Sequence, residues 1–158
     1  MDLFGNAVET PSTNVASSEK SEPSYTVVDK NINNTKHDYR LIVDEKDIKE
    51  LINNLNKAKE ICFDTETTGI NTLHAELVGM SFSFEKGKGF YVPFPENQEE
   101  SVILLEKFRP FFENEQIEKI GQNHKYDLKI LKNYGMSVAG KLFDTMLAHY
   151  LINPDMRH

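Results

Sequence analysis

The sequence predicts an α/β domain: a mixed sheet, built from a three-stranded antiparallel meander plus parallel strands, with flanking helices. Three observations carry this. Strand-like stretches at 61–67, 76–85 and 90–94 follow one another, and a turn-forming EKGKG separates the last two. Apolar residues recur at helical spacing on both sides of that block. After residue 118 a short strand feeds directly into a helix, and a second, shorter extended piece does the same.

The chain has 158 residues, enough for one domain and an appendage. Residues 1–38 read as a disordered interdomain linker. VETPSTNVASSEKSEPSY and the Asn-rich KNINNTKHD have no apolar periodicity and too little hydrophobic surface to offset the entropy of ordering. MDLFGN reads as a leftover linker end ahead of the other reading, a short docking motif. The folded part is expected over 39–158.

Leu41, Ile42 and Val43 make a short extended run, and Asp44 is placed to cap a helix with an apolar stripe of Ile48, Leu51, Ile52 and Leu55. ICFDTET is a strand with an apolar start. In ELVGMSFSFE, Val78, Met80, Phe82 and Phe84 alternate with small or polar residues, predicting a half-buried strand. FYVPF returns as its hairpin partner and ends near Pro93. Leu104, Leu105, Phe108, Phe111 and Phe112 share a helical face, with a break expected at Pro110. KIGQN is a short strand, and KYDLKILKNYG is a helix closed by Gly135 at C′. A last helix, DTMLAHYLIN, stops at Pro154.

Composition narrows the class. A hydrophobic content of 39% and no apolar run near the ~20 residues of a membrane span point to a soluble, cytoplasmic protein with no membrane association. Cys62 is the lone cysteine and is expected to be a buried, reduced thiol. The net charge of −7 disfavours holding nucleic acid by protein charge alone, unless divalent cations or a neighbouring domain offset it.

The chemical signal is DTETTG at 64–69. Residues i and i+2 of a strand share a face, so Asp64 and Glu66 stand side by side. Two like charges there are costly unless a cation lies between them, and hard divalent metals favour carboxylate oxygens. D-x-E is also common at a solvated strand end followed by a turn, so the motif alone leaves both readings open. GQNHKYD places Asp127 in the first turn of a helix, where the macrodipole also favours an acid. Gln122 and Asn123 equally suit caps or turns. Asp144, opening the last helix, reads as an N-cap.

DTETTG, followed about sixty residues later by GQNHKYDLKIL and then by NYG and FDTMLAHYL, resembles the 3′→5′ proofreading exonuclease domain of bacterial DNA polymerase I. LVGMSFSFE and YVPF match that family's second and third strands. The resemblance implies a ribonuclease H-like fold and two-metal hydrolysis of the 3′-terminal phosphodiester of DNA, with Mg²⁺ or Mn²⁺. Asp64 would bridge two metal ions, Glu66 would hold the first, and Asp127 the second. Thr67, Gln122, Asn123 and Tyr126 would line the terminal nucleotide, and Ile70 would wedge between the last two bases. His124 falls at a position usually apolar in the family. The substrate would be a single-stranded or frayed DNA 3′ end, and the partners would be polymerase and 5′-nuclease domains of the same parent chain. The family's third motif, a Tyr four residues before an Asp, has no match: Tyr150 has Pro154 at that spacing, with Asp155 one further on. The resemblance therefore implies a domain cut before that motif and weakly active or inactive alone. Two other readings share these residues, a non-catalytic exonuclease-like support for a polymerase and a ribonuclease D-type RNA 3′ exonuclease.

Overall fold

The computed structural model describes residues 29–155. The linker reading of residues 1–28 lies outside the described residues. From Ile32 onward the chain forms one unit. Its sheet is built from β1 (Asp38–Leu41), β2 (Glu60–Thr67), β3 (Leu77–Ser83), β4 (Lys88–Pro93), β5 (Glu118–Gly121) and β6 (Leu142–Asp144), in the order β1-β4-β3-β2-β5-β6. β2, β3 and β4 are the antiparallel meander, while β5 joins β2, and β6 joins β5, in parallel. This is the mixed sheet of a ribonuclease H-like fold. β1, at Asp38–Leu41, shares only Leu41 with the expected apolar run and pairs in parallel with β4.

The alternation in β2 decides which face is covered. Ile61, Phe63 and Thr65 point inward, and their cross-strand partners Met80 and Phe82, with Phe90 beyond, line the same face. Onto it pack α1 (Glu45–Leu55), through Ile48, Leu51 and Leu55, and α4 (His124–Asn133), through Ile130 and Leu131. α2 (Gln98–Glu106) and α3 (Arg109–Phe112) complete the layer. Phe108, at their junction, stacks on Phe82 at 5.4 Å, and Phe112 meets Phe63 edge-on at 5.3 Å, geometries that favour aromatic pairs. The helix break falls at Lys107–Phe108, ahead of Pro110, because proline is accommodated in the first turn of the new helix.

Val78 departs from the sequence expectation. Leu77 is buried and Val78 is 42% exposed, because a bulge between Glu66 and Thr67 pairs Thr67 with Leu77 and leaves Val78 as the extra residue. Cys62 also differs: it alternates onto the uncovered face and is exposed. Desolvation and the Asp64 charge push its thiol pKa up. Asp44 occupies the N-cap position of α1 but makes no side-chain cap bond.

Gly135 closes α4 as expected. Its φ is +76°, its N–H donates to Lys132 O, and Met136 N–H donates to Leu131 O, a Schellman pair. Gly135→Ala is expected to cost about 1 kcal/mol in chemical denaturation, because alanine is strained at that φ.

Lys119 is a buried cation on β5. Its Nζ donates to the carbonyls of Asn114 and Ala139 and lies 5.5 Å from the Phe111 ring centroid. Desolvation lowers its pKa. In the window between that lowered value and the unfolded value of about 10.4, the unfolded chain binds the extra proton. Stability should therefore rise with pH through that window. Lys119→Met should flatten the rise in denaturation curves taken between neutral pH and pH ~10.

Candidate active site

β2 outlasts its neighbour. Its ladder with β5 ends at Cys62–Ile120, so Thr65 lies past the last paired residue on that side. Asp127, in the first turn of α4, supplies the missing acceptor: its Oδ1 accepts from Thr65 N–H at 3.0 Å and from Thr65 Oγ1–H at 2.6 Å. An inward-facing Thr between two outward acids thus clamps an acid from another element onto the same strand. Asp127 is only 2% exposed. Burial pushes its pKa up, and the Thr65 bonds partly counter that.

Asp64 and Glu66 both turn to the uncovered face, as the period of two requires. The Asp64 pKa is raised, first by burial, then by the charge of Asp127, then by that of Glu66. Asp64 thus lies in the field of both other acids. No ion pair among the described residues neutralises any of them. As they stand, no three acidic, His or Cys side chains of the described residues enclose a metal position.

The strand-to-helix corner positions the rest. Asn123 has φ 58°, ψ 46°, the left-handed region that Asn tolerates best after Gly, and this turns the chain from β5 into α4. Gln122 beside it is exposed. The Tyr126 hydroxyl and Thr67 Oγ1 contact each other and Gly69 O, which lies 2.5 and 3.0 Å from them, so that one hydroxyl donates to the other and the second donates to Gly69 O. The loop that follows β2 is thereby tied to α4, and Ile70 projects from it 94% exposed. His124 behaves as a core residue. It is 3% exposed, its ring lies 5.3 Å from that of Phe63, and its Nδ1 has no partner among the described residues.

Two features were not legible in the sequence. Asp144 caps two helices at once: α5 (Thr145–Ile152), through Met146 and Leu147 N–H, and α4, through Asn123 and His124 N–H. Burial alone would raise its pKa, but these four backbone donors outweigh it and hold the pKa down. The FDT motif signals the first cap, but the second exists only because β6 lies beside β5. The other feature is a cleft of about 650 Å³ on the uncovered face, lined by Tyr39, Leu41, Cys62, Asp64, Ser81 and Tyr91. Gly79, opposite Glu66, makes room for the Tyr91 side chain, whose hydroxyl lies 2.1 Å from where a Cβ at Gly79 would sit.

Residues 39–158 match the family described as 3′-5′ exonuclease. DNA polymerase I of Borreliella burgdorferi is 42% identical over 123 residues, which is 75% of this chain and 13% of that protein. DNA polymerase I of Pseudomonas aeruginosa is 34% identical over 125 residues, covering 73% of this chain and 14% of that protein. The chain thus spans about one seventh of the length of these relatives. Among solved structures, the catalytic core of RRP6 from Trypanosoma brucei superposes with a TM-score of 0.61 at 23% identity, over 77% of this chain and 32% of that one. RNase D of Escherichia coli superposes with a TM-score of 0.57 at 15% identity, over 73% of this chain and 29% of that one. These two share the fold. No helix among the described residues is long and apolar enough to cross a membrane.

Proposed function

The chain belongs to the 3′-5′ exonuclease family, and from that premise we propose that it is the proofreading domain of a DNA polymerase I, removing nucleotides from the 3′ end of single-stranded or frayed DNA. The observation that carries this reading is the fastening of Asp127 to Thr65, the residue between Asp64 and Glu66 on β2, which sets Asp64 in the field of both other acids, only partly relieved by His124. Carboxylate oxygens in mutual repulsion fit hard divalent cations, whose binding would lower that repulsion. Asp64, Glu66 and Asp127 are the residues that would hold two such ions, Mg²⁺ or Mn²⁺. When bound, these ions supply an acidified water and neutralise charge on the phosphate.

The chain's own groups divide the remaining work. Thr65 fixes Asp127 against β2 through two hydrogen bonds, so that acid cannot swing away from the strand. Tyr126 and Thr67 hold the loop that presents Ile70, an apolar side chain suited to part the last two bases. Gln122 and Asn123 stand at the corner where α4 begins and would line the terminal nucleotide. The same reading places the domain in a cytoplasmic parent chain with polymerase and 5′-nuclease domains.

Metal binding is testable apart from catalysis. The raised Asp64 pKa means the folded state holds this proton more tightly than the unfolded state does. Its contribution to stability therefore falls as pH rises above about 3.9 and stays unfavourable at neutral pH. In metal-free buffer at neutral pH, Asp64→Asn should melt above the wild type. Added Mg²⁺ or Mn²⁺ should raise the wild-type melting temperature and leave that of Asp64→Asn nearly unchanged. A wild type indifferent to both ions would overturn the metal assignment.

A further inference from the structure

α4 carries a feature that the acid cluster does not use. Lys125, Lys129 and Lys132 are exposed and stand at i, i+4 and i+7, one stripe of the helix. None of them takes part in an ion pair among the described residues, although acids outnumber Lys and Arg by 25 to 18 over the whole chain. From 121 to 134 the only acid is Asp127, which faces inward.

The three lysines line one groove, about 590 Å³ in volume, between α4 and α5, whose apolar floor includes Leu128, Phe143 and Leu147. The only acid on its wall is Asp144, and that carboxylate is occupied by four backbone N–H groups. An apolar floor under an uncompensated row of cations suits a strand with phosphates on one side and bases on the other. A helix rises 1.5 Å per residue, so Lys125 and Lys132 lie about 10 Å apart along the axis. A nucleic acid strand carries a charge about every 3.4 Å in a duplex, so that length meets about three phosphates.

We propose that Lys125, Lys129 and Lys132 form a phosphate track that holds single-stranded DNA along the α4–α5 groove, leading to the corner at Gln122 and Asn123. This rests on the exonuclease reading and adds a route for the strand. It also answers the difficulty raised by the net charge of −7: an acidic chain binds a polyanion where its cations are gathered and unpaired.

The test titrates a labelled oligo-dT of about 15 nucleotides into the chain carrying Asp64→Ala, which keeps the oligonucleotide intact, and follows fluorescence anisotropy from about 0.05 to 0.2 M salt. Lys125→Gln, Lys129→Gln and Lys132→Gln together should weaken binding about 10- to 100-fold. They should also reduce the slope of log affinity against log salt by about 2, since each single-strand phosphate contact contributes ~0.7. The corresponding triple arginine variant should retain both. A control with Lys46, Lys57 and Lys59 changed to Gln alters the net charge equally on exposed sites elsewhere and should change the slope little. Equal losses in the two glutamine triples, or no loss in the α4 triple, would overturn the track. If the groove instead seats a protein segment, DNA binding will survive the α4 triple while Leu147→Asp abolishes self-association, which also overturns it. A chain with no affinity for DNA at any salt would count against the exonuclease reading itself.

Discussion

Asp64→Ala is expected to cut the release of nucleoside 5′-monophosphates from a 3′ end by about a thousandfold or more, the scale of losing a residue that organises charge stabilisation and nucleophile activation together. Asp64 carries this weight because it feels both other acids, Asp127 more than Glu66. On the proposed metal reading, removing it takes away the acid that both others act on, whereas removing either neighbour leaves Asp64 with one partner. The assay follows single-stranded DNA in Mg²⁺ or Mn²⁺, in the parent polymerase proposed above and in the chain alone. Polymerisation by the parent should be untouched, which separates a lost site from a lost fold. Glu66→Ala and Asp127→Ala should also be impaired. Asp127→Ala should show a second signature, slower activity together with a lower melting temperature, because Thr65 loses the acceptor of both its N–H and its Oγ1–H. Undiminished nucleotide release by Asp64→Ala would refute the assignment, and an inactive wild-type parent would favour the non-catalytic support reading.

Much of this site follows from periodicity. Alternation in ICFDTET places Asp64 and Glu66 together on the face opposite Phe63, and the structure keeps that arrangement. The element order and the Gly135 stop are likewise local, since propensity and turn chemistry act over a few residues. What local pattern misses is register and contact between distant segments. Val78 reads as inward because strict alternation is assumed, and one bulge, decided by pairing with β2, turns it out. Cys62 reads as buried because apolar residues flank it, yet a strand covered on one face only exposes every second residue. The Thr65–Asp127 clamp spans 62 residues, and it depends on where β5 stops pairing, which no motif spacing encodes. The family resemblance supplied the acids together, and the geometry adds the reason that a Thr between them has a task.

Asp144→Ala is expected to destabilise the fold by about 2–4 kcal/mol, two helix caps at about 1–2 kcal/mol each. Oδ1 accepts from Asn123, Met146 and Leu147 N–H at 3.0, 2.9 and 3.3 Å, and Oδ2 accepts from His124 N–H at 2.9 Å. One carboxylate therefore satisfies the N-termini of α4 and α5 together and fastens β6 to the corner from which Asp127 projects. Asp144→Asn keeps one oxygen and loses the charge, so its cost should be intermediate. The pH dependence follows from the lowered folded pKa, a net result of four donors outweighing burial. The stabilisation is complete above the unfolded value of about 3.9 and disappears as pH falls through the lower folded value. Denaturation curves of wild type and Asp144→Asn should accordingly differ at neutral pH and converge in acid. A loosened α4 also frees Asp127 from its place beside Thr65, so the metal-dependent rise in melting temperature should shrink in Asp144→Ala. If Asp144→Ala instead melted with the wild type and lost nucleotide release completely, the carboxylate would belong to the metal site rather than to the helix ends.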